Sequence, residues 1–148
     1  LPLQINDKNV SIPEYWQLWN PKTLQPINNI GGMVITANFK SKTKGSNISI
    51  PFDGSRIAII GKSFNNGGYA RVSIRNANND IVHSILIDFY SKVPDYGLRY
   101  VSPILPPNKY ILNVECSGEH PHWFNKRGDY FGSREDWVII DEVRVYNK

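Results

Sequence analysis

Apolar and polar residues alternate along most of this chain, whereas no stretch sustains the i, i+3, i+4, i+7 spacing of an amphipathic helix. Successive side chains of a β-strand point to opposite faces, so alternation with a period of two predicts strands that are buried on one side. The pattern predicts a chain built mainly of strands, at residues 33–39, 47–52, 56–61, 69–75, 81–90, 98–101, 109–116 and 137–146.

Turn-forming sequences separate these strands, among them Asp53-Gly54, the Asn-Asn-Gly-Gly run at residues 65–68 and the Pro-Pro-Asn run at residues 106–108. About eight short strands in 148 residues predict an all-β fold, an antiparallel two-sheet β-sandwich of the jelly-roll type. The length suits one domain with a core of its own. We predict a single domain, residues 1–148, in which residues 1–31 wrap around a sandwich formed by residues 32–148.

The connections between antiparallel strands must alternate between the two ends of a sandwich. Short turns then fall at one end, the turn end, at residues 53–55, 76–80 and 103–108. Longer connections fall at the other end, which we call the loop end, at residues 40–46, 62–68, 91–97 and 118–136. Variable loops gathered at one end of a β-scaffold are typical of a binding site.

The longest connection, residues 118–136, holds many aromatic and basic side chains: His120, His122, Trp123, Phe124, Lys126, Arg127, Tyr130 and Arg134. A long loop of this composition on a β-scaffold usually binds something. Rings and cations together suit sugars, acidic glycans, peptides and nucleic acids alike. The residue types alone therefore leave the ligand open.

The net charge and the length of the apolar runs limit the classes of partner that we expect. Seventeen basic against thirteen acidic residues give a net charge of +4, which favours acidic partners without the dense basic stripe of a nucleic-acid-binding protein. The longest apolar runs are too short to cross a bilayer. We therefore expect neither nucleic acid nor a membrane among the partners.

Cys116 is the single cysteine, so no disulfide can form within the chain. It lies on the same face of its predicted strand as Tyr110, Leu112 and Val114, which predicts a buried, unreactive thiol. Trp137 begins the last predicted strand and is expected in the core.

Five segments carry a family resemblance, and they occur in the order Ile-Ser-Ile-Pro-Phe-Asp-Gly-Ser-Arg-Ile-Ala-Ile-Ile-Gly (48–61), Gly-Tyr-Ala-Arg-Val-Ser-Ile (68–74), Ile-Asp-Phe-Tyr-Ser (87–91), Ile-Leu-Pro-Pro-Asn-Lys-Tyr-Ile-Leu-Asn-Val (104–114) and Val-Ile-Ile-Asp-Glu-Val-Arg-Val (138–145). This order resembles the galactose-binding-like β-sandwich modules attached to bacterial glycoside hydrolases, polysaccharide lyases and carbohydrate esterases. Where those modules have Leu-x-x-Gly-x-His, this chain has Leu-Pro-Pro-Asn-Lys-Tyr at residues 105–110. The resemblance implies a short glycan bound at loops on one end of the sandwich, or a spacer beside a catalytic domain.

Several loop-end side chains suit a glycan. The Trp123 ring can stack on the apolar face of a pyranose, and the Arg99 guanidinium can hold a carboxylate with two hydrogen bonds. The alternative for the long loop is that Trp123 and Phe124 fasten it onto the sandwich. The candidate ligand-binding residues are Trp123, Tyr96, Arg99, Arg127, Lys126, His122, Tyr69 and Phe124.

Metal binding has little support in the sequence. His120-Pro121-His122 has the form that can place two imidazoles on one ion, but Lys126 and Arg127 stand where a glutamate ligand would be needed. Asp141 shares its parity with Ile139 and Val143, which predicts a buried carboxylate bound by backbone N–H groups. The alternative is a structural Ca2+ near Asp141, which modules of the resembled fold often carry; no other cofactor is expected.

The leading functional prediction is a non-catalytic carbohydrate-binding module of an exported bacterial polysaccharide-processing protein. Its partners would be an oligo- or polysaccharide and a covalently linked catalytic domain. Because the chain begins at Leu1 without the pattern of a signal peptide, we interpret it as a mature exported protein or an excised module, secreted, periplasmic or on the cell surface.

Two alternatives remain open. Tyr15, Trp16 and Trp19 are expected to anchor the wrapping segment to the sandwich. One alternative is a structural or protein-interaction domain in which Trp16 and Trp19 instead form a surface that docks on a neighbouring catalytic domain. The other is a small polysaccharide lyase that uses Tyr130, His122 and Arg127 as base and charge-neutralising groups. No nucleophile elbow, phosphate loop or H-E-x-x-H motif occurs, so we expect the chain not to be an enzyme.

Overall fold

The computed structural model describes residues 32–147, and these residues form an all-β structure. Its strands are β1 (Gly32–Ser41), β2 (Asn47–Gly54), β3 (Arg56–Ser63), β4 (Tyr69–Asn76), β5 (Ile81–Asp88), β6 (Asp95–Val101), β7 (Asn108–Cys116), β8 (His122–Phe124), β9 (Tyr130–Gly132) and β10 (Val138–Tyr146). No helix that could span a membrane occurs within this range. The predicted wrapping segment, residues 1–31, with Tyr15, Trp16 and Trp19, lies outside the described residues.

Eight of the strands form two antiparallel sheets that pack face to face. Sheet I has the strand order β1-β10-β3-β6, and sheet II has the order β2-β7-β4-β5. This is the strand order of a jelly roll, in which the chain passes repeatedly from one sheet to the other. The predicted fold class, an antiparallel two-sheet sandwich, is confirmed.

The core lies between the two sheets and follows from the alternation in the sequence. On β7 the buried positions are Tyr110, Leu112, Val114 and Cys116, with exposed or half-buried residues between them. Cys116 is buried as predicted, and burial raises the pKa of its thiol. The thiol is therefore protonated and unreactive at neutral pH.

A β-bulge in β10 overturns one prediction. Against β3, Ile140 and Glu142 pair with the consecutive residues Gly61 and Ile60, so that β10 carries one extra residue, Asp141. Ile140 and Val143 both point into the core, and Asp141 is exposed. The prediction of a buried Asp141 carboxylate was wrong. It assumed an unbroken alternation of faces from Ile139 to Val143, and the extra residue at the bulge interrupts that alternation. Because an exposed carboxylate needs no internal partner, burial gives no reason to expect a Ca2+ at Asp141.

One open edge of the sandwich is closed by a hydrogen bond between the sheets. Nδ1 of His83 on β5 lies 2.7 Å from the hydroxyl of Tyr100 on β6, and their rings are nearly parallel. Tyr100 is buried, and burial raises the pKa of its phenol. Because β5 and β6 are edge strands of different sheets, this contact joins the two layers.

Replacing Tyr100 with phenylalanine should lower the free energy of unfolding at neutral pH by about 1 kcal/mol, because His83 loses its partner. Since the pKa of Tyr100 is higher in the folded than in the unfolded protein, the wild-type advantage is fully present below about pH 10 and is lost as the pH rises through the raised pKa. Chemical denaturation between neutral pH and pH 11 measures both effects. Equal pH slopes for the variant and the wild type would contradict this prediction.

Candidate functional site

The four long connections meet at one end of the sandwich, as predicted. Backbone N–H groups of Gly45, Gly68 and Phe64 donate to the carbonyls of Cys116, Trp137 and Phe89, at 2.9, 2.9 and 3.1 Å. These bonds join residues from all four connections or from the strand ends beside them. The prediction of a common loop end is therefore confirmed, and it places the long segment 118–136 on a hydrogen-bonded base.

The long segment is not an open loop, because it folds into a β-hairpin. Strands β8 and β9 pair antiparallel, and Asn125 organises the turn between them. The Asn125 side-chain oxygen accepts from the backbone N–H groups of Arg127 and Asp129, each at 2.9 Å. Gly128 takes a φ of +81°, the left-handed conformation that a three-residue hairpin loop requires. Lys126 and Arg127 are thereby presented, exposed, at the hairpin tip.

One face of the hairpin carries an exposed aromatic pair. Trp123 and Phe131 are direct cross-strand partners. Their rings are nearly parallel, 14° apart in plane and 6.0 Å apart in centroid, with 52% and 43% of their surface exposed. Phe131 was not among the predicted site residues. A turn sequence, Asn-Lys-Arg-Gly-Asp, flanked by alternating aromatics was the signal that would have revealed it.

The other face of the hairpin is packed around Tyr130. The His122 ring lies parallel to the Tyr130 ring, 6.1 Å away, and the Phe124 ring meets it edge-on at 5.4 Å. The Arg134 guanidinium lies 4.3 Å from the same ring. His122 and Phe124 thus share the Tyr130 face, opposite to Trp123.

Side-chain hydrogen bonds fasten the base of the hairpin. Nδ1 of His120 lies 2.6 Å from Oδ1 of Asp136, and Nε2 of His120 lies 3.3 Å from the Tyr130 hydroxyl. The Tyr130 hydroxyl donates to the backbone carbonyl of Ser133, which is itself fully buried. The hairpin therefore projects from the sandwich on a braced base rather than a flexible one.

Arg99 is engaged within the chain. Its guanidinium donates to Oδ2 of Asp95 at 2.6 Å and to the hydroxyl of Ser63, and only 12% of its side chain is exposed. The carboxylate that we predicted Arg99 to hold is supplied by Asp95. Residues 95–97 were predicted as loop, but they extend β6, so Asp95 and Arg99 lie on the same strand. The register of β6 with β3 shifts at Arg99.

Tyr96 and Tyr69 lie at the loop end but apart from the hairpin strands. Tyr96 is 66% exposed on β6 and carries the Lys62 ammonium 5.3 Å from its ring centroid. Tyr69 is half-buried at the start of β4. Burial raises the pKa of Tyr69, and the carboxylates of Asp88 and Glu119 raise it further, so its phenol is a neutral hydrogen-bonding group at neutral pH.

Trp137 is not a core residue, which corrects its prediction. Its ring is half-buried, with the ammonium groups of Lys40 and Lys42 at 5.1 and 5.3 Å from its centroid. Its indole N–H donates to Oε2 of Glu135 at 2.6 Å. The regular strand begins one residue later, at Val138, so the apolar run that made Trp137 look internal starts outside the sandwich.

The described residues contain no group of three or more His, Cys, Asp or Glu side chains that could hold a metal ion. The His120 and His122 rings lie 5.4 Å apart, but Asp136 already contacts Nδ1 of His120. This pair is explained by its part in the hairpin base and the packing around Tyr130. Comparison of the sequence with protein-family models and with curated proteins found no match.

Proposed function

We propose that this protein is a non-catalytic carbohydrate-binding module that binds a glycan with the hairpin at its loop end. The observation that supports this function most directly is the exposed, nearly parallel pair of Trp123 and Phe131 on a braced hairpin. A pyranose ring has apolar C–H faces and a rim of hydroxyls, and aromatic rings bind such a face without needing a specific hydrogen-bond pattern.

The hairpin also supplies the polar partners that a sugar requires. Lys126 and Arg127 are exposed at its tip and donate hydrogen bonds to hydroxyl or acidic groups. Because the base is fixed by the His120–Asp136 and Tyr130–Ser133 contacts, little conformational freedom is lost on binding. With one aromatic pair as the main anchor, we expect dissociation constants in the micromolar to millimolar range.

On the resemblance given above, the module belongs to an exported bacterial polysaccharide-processing protein and is linked covalently to a catalytic domain. Holding the enzyme on its polymer raises the local substrate concentration, and a weak single site suffices for that purpose.

Replacing Trp123 with alanine should lower the affinity for a neutral glycan at least about tenfold, because the main stacking surface disappears. The melting temperature should stay within about 2 °C of the wild type, since half of the side chain is already exposed. Calorimetric titration against a panel of neutral and acidic oligosaccharides, with thermal unfolding in parallel, provides the measurement.

The control variant is Ile104→Ala, which removes an equally exposed apolar side chain at the turn end. It should bind like the wild type. A large fall in melting temperature for Trp123→Ala would identify Trp123 as a structural plug of the loop and would overturn its role in binding.

A docking domain is the second candidate, and the edge of sheet II favours it. Strand β5 ends that sheet and exposes four aliphatic side chains, Ile81, Val82, Ile85 and Leu86, between 41% and 52%. Exposed apolar groups on an edge strand suit a neighbouring domain. A glycan panel that is negative for neutral and acidic sugars would shift the assignment to docking.

A lyase is less well supported by the same hairpin. The Tyr130 hydroxyl, which would have to abstract a proton from a uronate, donates to the Ser133 carbonyl and lies beside His120. The group is thus committed to fixing the hairpin base. Ultraviolet absorbance from an unsaturated uronate product, formed by the isolated chain, would instead establish a lyase.

A further inference from the structure

A second set of loop-end side chains lies on the outer face of sheet I. The pairing of the four strands places Lys40, Ile139, Lys62 and Tyr96 in one row across this sheet. Ile140 and Val138, beside this row on β10, point into the core, so the row faces outward. Lys42 and Trp137 extend it toward the loop end.

Aromatic rings fix the positions of all three ammonium groups in this set. The Trp137 ring lies about equally far from those of Lys40 and Lys42, at 5.1 and 5.3 Å. The Lys62 ammonium lies 5.0 Å from the Phe64 ring centroid and 5.3 Å from that of Tyr96. Cation–π contacts of this kind restrict long lysine side chains without neutralising their charge.

The charges of Lys40 and Lys62 are uncompensated within the described part of the chain. Lys42 has Glu135 at 3.6 Å, whereas neither Lys40 nor Lys62 has a carboxylate within 4 Å among residues 32–147. The carboxylates of Asp95 and Glu142 are bound by Arg99 and Arg144. The surface is therefore a fixed positive one rather than a balanced salt-bridge network.

The spacing of the two lysines is set by the sheet. Lys40 on β1 and Lys62 on β3 both pair with Ile139 on β10, so their backbones are two strand spacings apart, roughly 10 Å. A half-buried isoleucine lies between them, and the exposed Tyr96 ring lies beyond Lys62. Two separated cations with an apolar floor and an exposed ring suit a chain that carries acidic groups at intervals.

We infer that this outer face of sheet I, formed by Lys40, Lys42, Lys62 and Tyr96, binds the acidic groups of a polyanionic glycan. The inference rests on the proposed carbohydrate-binding function and specifies its ligand class. The ammonium groups hold carboxylate or sulfate oxygens, and Tyr96 stacks on a sugar ring between them. A net charge of only +4 favours an acidic glycan over nucleic acid, and the cations of this set are lysine ammonium groups rather than the guanidinium groups that suit phosphate.

The test compares polymers that differ only in their acidic groups. Dextran sulfate against dextran isolates sulfate, and polygalacturonate against its methyl ester isolates carboxylate. The wild-type protein should bind at least one acidic polymer about tenfold or more tightly than its neutral counterpart. This preference should weaken with increasing salt.

The variant K40Q/K62Q should lose about tenfold or more in affinity for that acidic polymer, because both uncompensated charges are gone. The control K92Q/K109Q removes the same charge from two other exposed positions and should stay within about twofold of the wild type. Should the double variant fail to fold, the single variants K40Q and K62Q are each expected to lose part of the preference.

Three results would overturn the inference: equal binding of acidic and neutral polymers, an equal loss in the control, or tighter binding of duplex DNA or phosphatidylserine vesicles than of any polysaccharide. The same experiments test the carbohydrate-binding function separately from this choice of an acidic ligand. That function survives if Trp123→Ala lowers the affinity for a neutral glycan while K40Q/K62Q changes nothing. If no polymer or oligosaccharide binds at all, both proposals fail.

Discussion

Replacing Phe89 with alanine should lower the free energy of unfolding by about 3 to 5 kcal/mol, the largest effect we expect from a single side-chain truncation. Phe89 is the largest fully buried side chain among residues 32–147, and its removal leaves a cavity that two packed sheets cannot close. For a protein of this length the melting temperature should fall by roughly 10 to 15 °C. Chemical denaturation and thermal unfolding both measure the loss.

The Phe89 backbone also takes part in the hydrogen bonds that hold the loop end together. Its backbone N–H donates to Gly68, and its carbonyl accepts from Phe64, at 2.9 and 3.1 Å. Phe124→Ala is the matched control, because Phe124 is 63% exposed and should cost less than about 1 kcal/mol. A fall of similar size in both variants would show that Phe89 does not anchor the core.

Replacing Gly67 with alanine should cost about 3 kcal/mol or more, although the change adds a single methyl group. A Cβ at this position would lie 1.7 Å from the carbonyl oxygen of Phe89 and 2.8 Å from the amide nitrogen of Tyr90. Both are backbone atoms, which cannot rotate away as the end of a side chain can. The connection must shift, and with it the contact of Gly67 with Trp137.

Gly45→Ala separates this steric effect from the general effect of replacing a loop-end glycine. Nothing lies within 4 Å of a Cβ at Gly45, but its φ is +86°, so alanine should cost only about 1 kcal/mol there. Denaturation curves for the two variants give the comparison. Equal losses would mean that the approach of Gly67 to Phe89 is looser than the structure indicates.

The sandwich was predictable because strand alternation and turn residues are local properties. On β4 and β7 the buried set follows the period of two without interruption, so residues such as Val72 and Leu112 could be assigned to the core directly. The same parity required the four long connections to share one end. No contact between distant residues had to be known for either step.

The candidate site was predicted only in part: the hairpin residues could be read from the sequence, whereas the internal partner of Arg99 could not. Trp123, Phe124, Lys126 and Arg127 do share one exposed hairpin, whereas Arg99 is bound to Asp95. An aromatic stretch with charged neighbours can be read from sequence. Which guanidinium already has a carboxylate depends on where two side chains meet, and sequence spacing does not report it.

The fold class, the core strands and the end of the sandwich at which the long connections gather follow from local sequence patterns, because each depends on the period of two and on the reversal of direction at every turn. Which loop-end side chains remain available to a ligand depends instead on tertiary contacts. One inserted residue at the bulge turned Asp141 outward, and cross-strand pairing joined Phe131 to Trp123 and set Lys40 and Lys62 in one row. These outcomes depend on register between strands far apart in the chain, which local patterns do not encode.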